Sequence, residues 1–194
     1  MAQNKYILFR DYNTFDPELF DFKKIATYMK KDFYIITPQF TVVDYHNRDD
    51  SVILSLKFKD KDFLELIQLI DSLSILSYVK GNNLSYKDVQ RNYIQTRSLN
   101  PATAQTNIMH FTIPIKGEKP IIKVFDEYED NIPLDIVDVN FKGKAIIQPL
   151  GIYKEDSKYM NNWNLNQIKV HIPEVYFNTC ILPNNNEEMQ IFCE

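Results

Sequence analysis

The chain has 194 residues, 44% of them hydrophobic and 25% charged, the make-up of a soluble globular protein with a sizeable core. Its net charge of −4 argues at first sight against a nucleic-acid partner. From Glu174 onward, however, there are four acids and no Lys or Arg, which leaves 22 acids and 22 bases in the residues before it. A neutral body can still carry a basic face, and phosphate binding depends on that local field.

In chain order, Asp16–Lys31 suits a helix, with Asp16 as cap, Pro17 in the first turn and Leu19, Phe20, Ile25 and Met29 on one face. Phe33–Thr37 reads as a short strand ending at Pro38. Phe40–His46 and Ser51–Phe58 read as two strands joined by a hairpin turn over Asn47 to Asp50. Asp60–Val79 is the clearest helix. Phe63, Leu66, Ile67, Ile70, Leu73 and Leu76 recur at helical spacing, and Lys80-Gly81 closes it. Leu84–Arg97 is expected as a second, more polar helix capped by Ser85, and Asn100–Asn107 as a loop.

From Ile108 the pattern turns to strands. Ile108–Ile115 alternates, and Gly117 makes a turn. Apolar runs follow at Ile121–Phe125, Ala145–Tyr153 and Trp163–Ile172, separated by polar loops. Val175–Leu182 reads as a last strand, and Pro183–Glu194 as a polar tail. The pattern is α+β, mostly antiparallel β, with helices inserted among the strands.

Signals for catalysis are few. His46, His110 and His171 occupy unrelated positions, four glycines cannot build a glycine-rich phosphate cradle, and no nucleophile elbow, metalloprotease or dinucleotide motif occurs. No catalytic residue, metal or cofactor is therefore assigned. The acids Asp126, Glu127, Glu129 and Asp130 read as a solvated turn, with a metal-dependent nuclease built on Asp126 and Glu127 as the rival. Cys180 and Cys193 lack zinc spacing and read as free thiols rather than a disulfide. No apolar leader or membrane-length run is present, which makes an intracellular protein without membrane contact the expectation.

Cations and rings, by contrast, interleave on the strands and their turns. Lys57 and Lys59 alternate along one strand end. Lys142 and Lys144 flank Gly143. Lys154 and Lys158 follow Tyr153 in a loop leading to Tyr159 and Trp163, and Lys169 lies on the last strand of the set. Lysines can neutralise phosphates, and exposed rings can stack on bases.

The order KVFDEYEDNIPLDIVDVNFKGKAIIQPLGIY, a polar loop, then WNLNQIKV resembles the C-terminal half of viral single-stranded DNA-binding proteins, the phage replication type and its relatives in large double-stranded DNA viruses. The matched positions are Lys123–Asp126, Lys142–Tyr153 and Trp163–Val170. The resemblance implies an OB-type barrel of five strands and one helix whose face and loops bind oligonucleotide. The acidic end EEMQIFCE is similar to the partner-binding tails of that group, which implies recruitment of replication proteins through Glu187, Glu188 and Phe192.

The expectation is thus a single OB-like domain over 1–183 with an N-terminal extension, then a short acidic mobile tail over 184–194. It binds single-stranded DNA without sequence preference, with RNA and a homodimer left open, in replication, recombination or repair. If viral, it works where the host cell replicates the genome. Backbone contacts fall to Lys57, Lys59, Lys142, Lys144, Lys154, Lys158 and Lys169, and stacking to Tyr153, Tyr159 and Trp163. The alternative is a structural or minor virion interaction protein. If the tail competes with DNA for the groove, deleting Asn184–Glu194 tightens oligonucleotide binding in a titration; unchanged or weaker affinity removes the competition idea.

Overall fold

The computed structural model describes residues 6–8, 34–96, 98–100, 105–117 and 119–173. The helix expected over Asp16–Lys31, the strand expected over Val175–Leu182, both cysteines and the tail lie outside these residues.

The strands are β1 (Tyr6–Leu8), β2 (Tyr34–Ile36), β3 (Phe40–Asn47), β4 (Ser51–Phe58), β5 (Tyr93–Ile94), β6 (Ser98–Asn100), β7 (Gln105–Lys116), β8 (Lys119–Pro120), β9 (Lys123–Phe125), β10 (Lys142–Glu155) and β11 (Lys158–His171). Two helices, α1 (Lys61–Asn82) and α2 (Tyr86–Arg91), separate β4 from β5, and a 3-10 turn covers Leu134–Ile136. The sheet runs β1-β2-β10-β3-β4-β7-β6. β11 lies on the other side of β10, and β5 and β9 pair with β11. β11 and β7 approach one another, but no ladder joins them among the described residues, so the sheet stays open.

The β3–β4 hairpin falls where the alternation places it. Val42, Leu54, Leu56 and Phe58 point inward, with a bulge between Val42 and Asp44. On β7, Met109, Phe111 and Ile113 join the same core. α1 packs on it through Phe63, Leu66, Ile67 and Ile70, and the Phe63 ring tilts against Phe58 at 4.6 Å between centroids. Asp60 caps the helix, its Oδ1 accepting from the Phe63 N–H at 3.1 Å.

The C-terminal half of α1 departs from the helical stripe read in the sequence. Leu76 is 46% exposed, and the buried face there is Asp71, Ser74 and Ile75. These polar positions break the apolar period because their partners are a buried hydrogen-bond network, described below. Gly81 does not end the helix; Asn83, in the left-handed region at φ 52°, does. The second helix is only six residues long, because Tyr93–Ile94 leaves it to pair in parallel with Tyr159–Met160 of β11.

β10 and β11 form an antiparallel ribbon from Lys142↔His171 to Glu155↔Lys158, roughly 45 Å long at the usual rise per residue. The stretch read as a polar loop between Tyr153 and Trp163 is therefore mostly strand, reversed in a tight turn where Asp156 takes φ 53°. One bulge leaves Asn166 unpaired on β11, and another leaves Leu150 unpaired on β10 beside Gly151 at φ 101°.

At its first turn β10 is paired on both edges, with His171 and Val170 of β11 on one side and Thr41 and Phe40 of β3 on the other. Gly143 sits at this crossing. A Cβ there would lie 2.3 Å from the Lys169 carbonyl oxygen and 2.8 Å from Phe40 Cζ. The β11 backbone and the Phe40 ring approach so closely only because the residue has no side chain. Gly143→Ala is expected to lower stability by about 1–3 kcal/mol, read as a shift of the urea midpoint; an unshifted midpoint would show that the crossing can open at no cost.

Candidate nucleic-acid interface

Residues directly paired in a sheet project to the same face. His171 pairs with Lys142, Lys142 with Thr41, Thr41 with Lys57, and Lys57 with Ile108, so one row crosses five strands. Its neighbours along each strand, Val170, Gly143, Val42, Leu56 and Met109, are buried in the core. From His171 to Lys57 the row therefore lies on the outer face, while Ile108 at its β7 end is buried. Lys144, two residues on from Lys142, is on that face opposite Lys169. The fold thus brings Lys57 of β4 together with Lys142, Lys144 and Lys169 of the β10–β11 ribbon. Lys142 and Lys144 are exposed, and Lys57 and Lys169 are half-buried.

Farther along the ribbon the same face turns from cationic to amide and apolar. Ile146 pairs with Gln167, Gln148 (itself buried) with Asn164, Gly151 with Asn162, and Tyr153 with Met160, beyond which Ile94 of β5 extends the row. Tyr153 and Ile94 are each about two-fifths exposed, at 42% and 41%. The alternation of Asn162 and Asn164 with Trp163 and Leu165 is the sequence signal for this amide file; of these only Asn162 falls in the stretch read as a loop.

Other expected contacts lie elsewhere. Lys59 is exposed in the link between β4 and α1. Lys158 is at the ribbon turn opposite Glu155. Lys154 pairs with Tyr159 on the opposite face, its Nζ 5.7 Å from the Tyr159 ring centroid. Glu187, Glu188 and Phe192 lie outside the described residues.

The stacking roles expected for Tyr159 and Trp163 are corrected by the structure: the two side chains are 9% and 6% exposed. Both belong to the inward file of β11. Tyr159 packs with Ile75 and Val89 and edge-on against Tyr78 at 5.6 Å, pinning the far end of the ribbon to α1 and α2. The Trp163 indole N–H donates to Thr96 Oγ1 at 3.0 Å. Thr96 in turn donates its hydroxyl to Asp71 Oδ1 and its N–H to Asp71 Oδ2, while Asn161 Nδ2 donates to Asp71 Oδ1 and to Ser74 Oγ. Burial pushes the Asp71 carboxyl above its ordinary range against these hydrogen bonds, and burial beside Asp71 pushes the Tyr93 phenol up.

The acidic turn after β9 is also structural. Asp126 Oδ1 accepts from the N–H groups of Tyr128 and Asp130, both at 2.9 Å, and Glu127 Oε2 accepts from the Ile172 N–H at 3.1 Å. No group of three metal-ligating side chains converges among the described residues. Ser55 Oγ and His110 Nδ1 are 2.8 Å apart across β4 and β7, but Ser55 is buried, so the pair is a cross-strand link closed to a substrate. Among the described residues no helix is long and apolar enough to cross a membrane.

The fold is similar to solved structures of a single-stranded DNA-binding protein from bacteriophage Enc34. One matches with a TM-score of 0.51 at 9% identity, over 71% of this chain and 79% of that one. Its C-terminal truncation matches at 0.51 and 9%, over 72% and 86%. The same protein in complex with single-stranded DNA matches at 0.50 and 9%, over 71% and 85%. No protein-family profile and no curated protein matches the chain. At this identity the likeness is one of fold, and it supports the α+β, OB-like class.

The Asp71 network makes its own prediction. A carboxyl whose folded value is raised stabilises the fold below the ordinary carboxylate range, and that contribution is lost as pH rises through the raised value. Asp71→Asn replaces one acceptor oxygen with an amide donor and destabilises at every pH. Its deficit in urea midpoint relative to wild type is expected to shrink as pH rises above the ordinary carboxylate range. A deficit that grows with pH would mean that the carboxylate is stabilised where it sits.

Proposed function

We propose that this chain binds single-stranded DNA without sequence preference, as a non-enzymatic protein of replication, recombination or repair acting inside the cell and, if viral, where the host cell replicates the genome. The observation that carries the reading is the outer-face row of Lys57, Lys142, Lys144 and Lys169, on a fold similar to that of a phage protein solved with single-stranded DNA. Lysines on one face neutralise successive phosphates and release counterions. Tyr153, exposed beside Met160, supplies a surface for a base, and the carboxamides of Asn162 and Gln167 lie between the two ends. Lys158 and Lys59 extend the cationic field from the margins. Tyr159 and Trp163 support the face from beneath and make no base contact. Recruitment of replication proteins through the acidic tail belongs to the same reading.

A second reading, a structural or virion interaction protein, draws on the exposed apolar side chains Ile121, Tyr128, Ile136 and Val139. Co-elution with poly-dT at low salt separates the two.

Replacing Lys142 and Lys144 by Ala is expected to weaken oligo-dT binding and to flatten the plot of log affinity against log salt by about 0.7 for each phosphate no longer neutralised. Tyr153→Ala is expected to cost about 1–3 kcal/mol of affinity with that slope unchanged. An unaltered slope in the lysine variant, or no retention of the wild type on poly-dT, would sink the reading.

A further inference from the structure

The cationic row is not open along its whole length. Lys169 Nζ is 3.0 Å from Glu129 Oε1, and His171 Nδ1 is 3.6 Å from Glu127 Oε1. Both carboxylates come from the turn after β9, which pairs in parallel with β11 at Gln167–Lys169 and so lies alongside the outer-face cations. The turn is built to hold them there. Asp126 N–H donates to the Asp130 carbonyl, Glu129 N–H donates to the Asp126 carbonyl, the Asp126 carboxylate takes two further backbone N–H groups, and Phe125 bridges to Asn131. Glu127 is tied to the Ile172 N–H, one residue past the end of β11.

Glu129 stands at φ 72°, the left-handed region where glycine or asparagine would be unstrained. A glutamate in that position keeps its carboxylate at the end of a braced turn in spite of the backbone it must adopt. Residues held in such conformations cluster at switches and clamps. The carboxylate is well exposed and Lys169 partly so, with side-chain exposures of 80% and 42%. The ion pair is therefore solvent-screened, and an incoming anion can replace it at little cost.

We propose that the Glu127–Glu129 turn is a built-in competitor for phosphate: Glu129 occupies the place on Lys169 that a phosphodiester takes when single-stranded nucleic acid binds, and the strand enters by displacing it. This rests on the function proposed above and concerns the regulation of the same face. Two things follow from the exchange. Lys169 is held in position before the ligand arrives, which lowers the ordering cost of its phosphate contact. Each strand bound must also release the carboxylate, which sets affinity below what the cations alone would give. Tyr128, 80% exposed at the apex of the same turn, moves with it if the turn swings away.

The test is a fluorescence-anisotropy titration of labelled oligo-dT with the full chain at low salt. Glu129→Gln is expected to bind about two- to five-fold tighter than wild type, the range that removal of one exposed ion pair allows. Glu129→Gly, which also relieves the left-handed backbone, is expected to tighten binding likewise and to melt no lower than wild type, so a folding defect in one variant cannot mask the effect. In a double-mutant cycle Lys169→Ala weakens binding, and adding Glu129→Gln to it changes affinity little, because the competitor no longer has its partner. Wild-type binding with both Glu129 variants unchanged or weaker overturns the competitor and leaves the binding function standing. Failure of the wild type to bind overturns both.

Discussion

The structure turns on one strand that is paired on both edges. At Lys142–Gly143, β10 bonds to β11 and β3, and at Ile146–Ile147 to β11 and β2. The Thr37 N–H donates to the Ala145 carbonyl, and the Ala145 N–H donates to Thr37 Oγ1, which closes the gap between the two contacts. A strand satisfied on both sides is fixed in register, and a slip of one residue would turn its lysines inward. Because β10 is fixed, Lys142 and Lys144 have to face outward. Lys57 reaches the same row only through β3, which docks on β10 at the glycine. The cationic face is thus a property of the crossing, and no single segment of the chain contains it.

Beyond the crossing, the ribbon depends on a smaller core. Ile75, Val89 and Tyr159 form a cluster apart from the main one, with Tyr78, Tyr86, Tyr93 and Ile152 around it. The Asp71 network bridges the two regions through Thr96, Asn161 and Trp163. Buried polar groups of this kind are costly when incomplete and rigid when satisfied. They explain why the second half of α1 turns Asp71 and Ser74 inward and leaves Leu76 in water.

Much of this was legible in the residues. The β3–β4 hairpin and the start of α1 each follow from local chemistry, and the core alternation of β7 and β11 follows from period two. The phase of β11 even changes visibly: Trp163 and Leu165 share one parity and Ile168, Val170 and Ile172 the other, and the bulge at Asn166 accounts for the slip. That same alternation puts Trp163 in the file of Leu165, away from any ligand. The stacking expectation failed there because tryptophan and lysine close in sequence point to opposite faces of a strand. What could not be read was anything made by distant pairing. The junction of Lys57 with Lys142, the carboxylate beneath Trp163 and the grip of Glu129 on Lys169 bring together residues 25 to 90 positions apart.

The two extra residues in the ribbon have a geometric outcome. Each bulge adds right-handed twist to the strands that carry it. Leu150 and Asn166 lie between the ammonium groups near Gly143 and the Tyr153 ring, so the extra twist falls between these two ends of the face. A polymer touching both must coil around the ribbon as it passes. On the function proposed above, a flexible single strand follows such a path more readily than a stiff double helix.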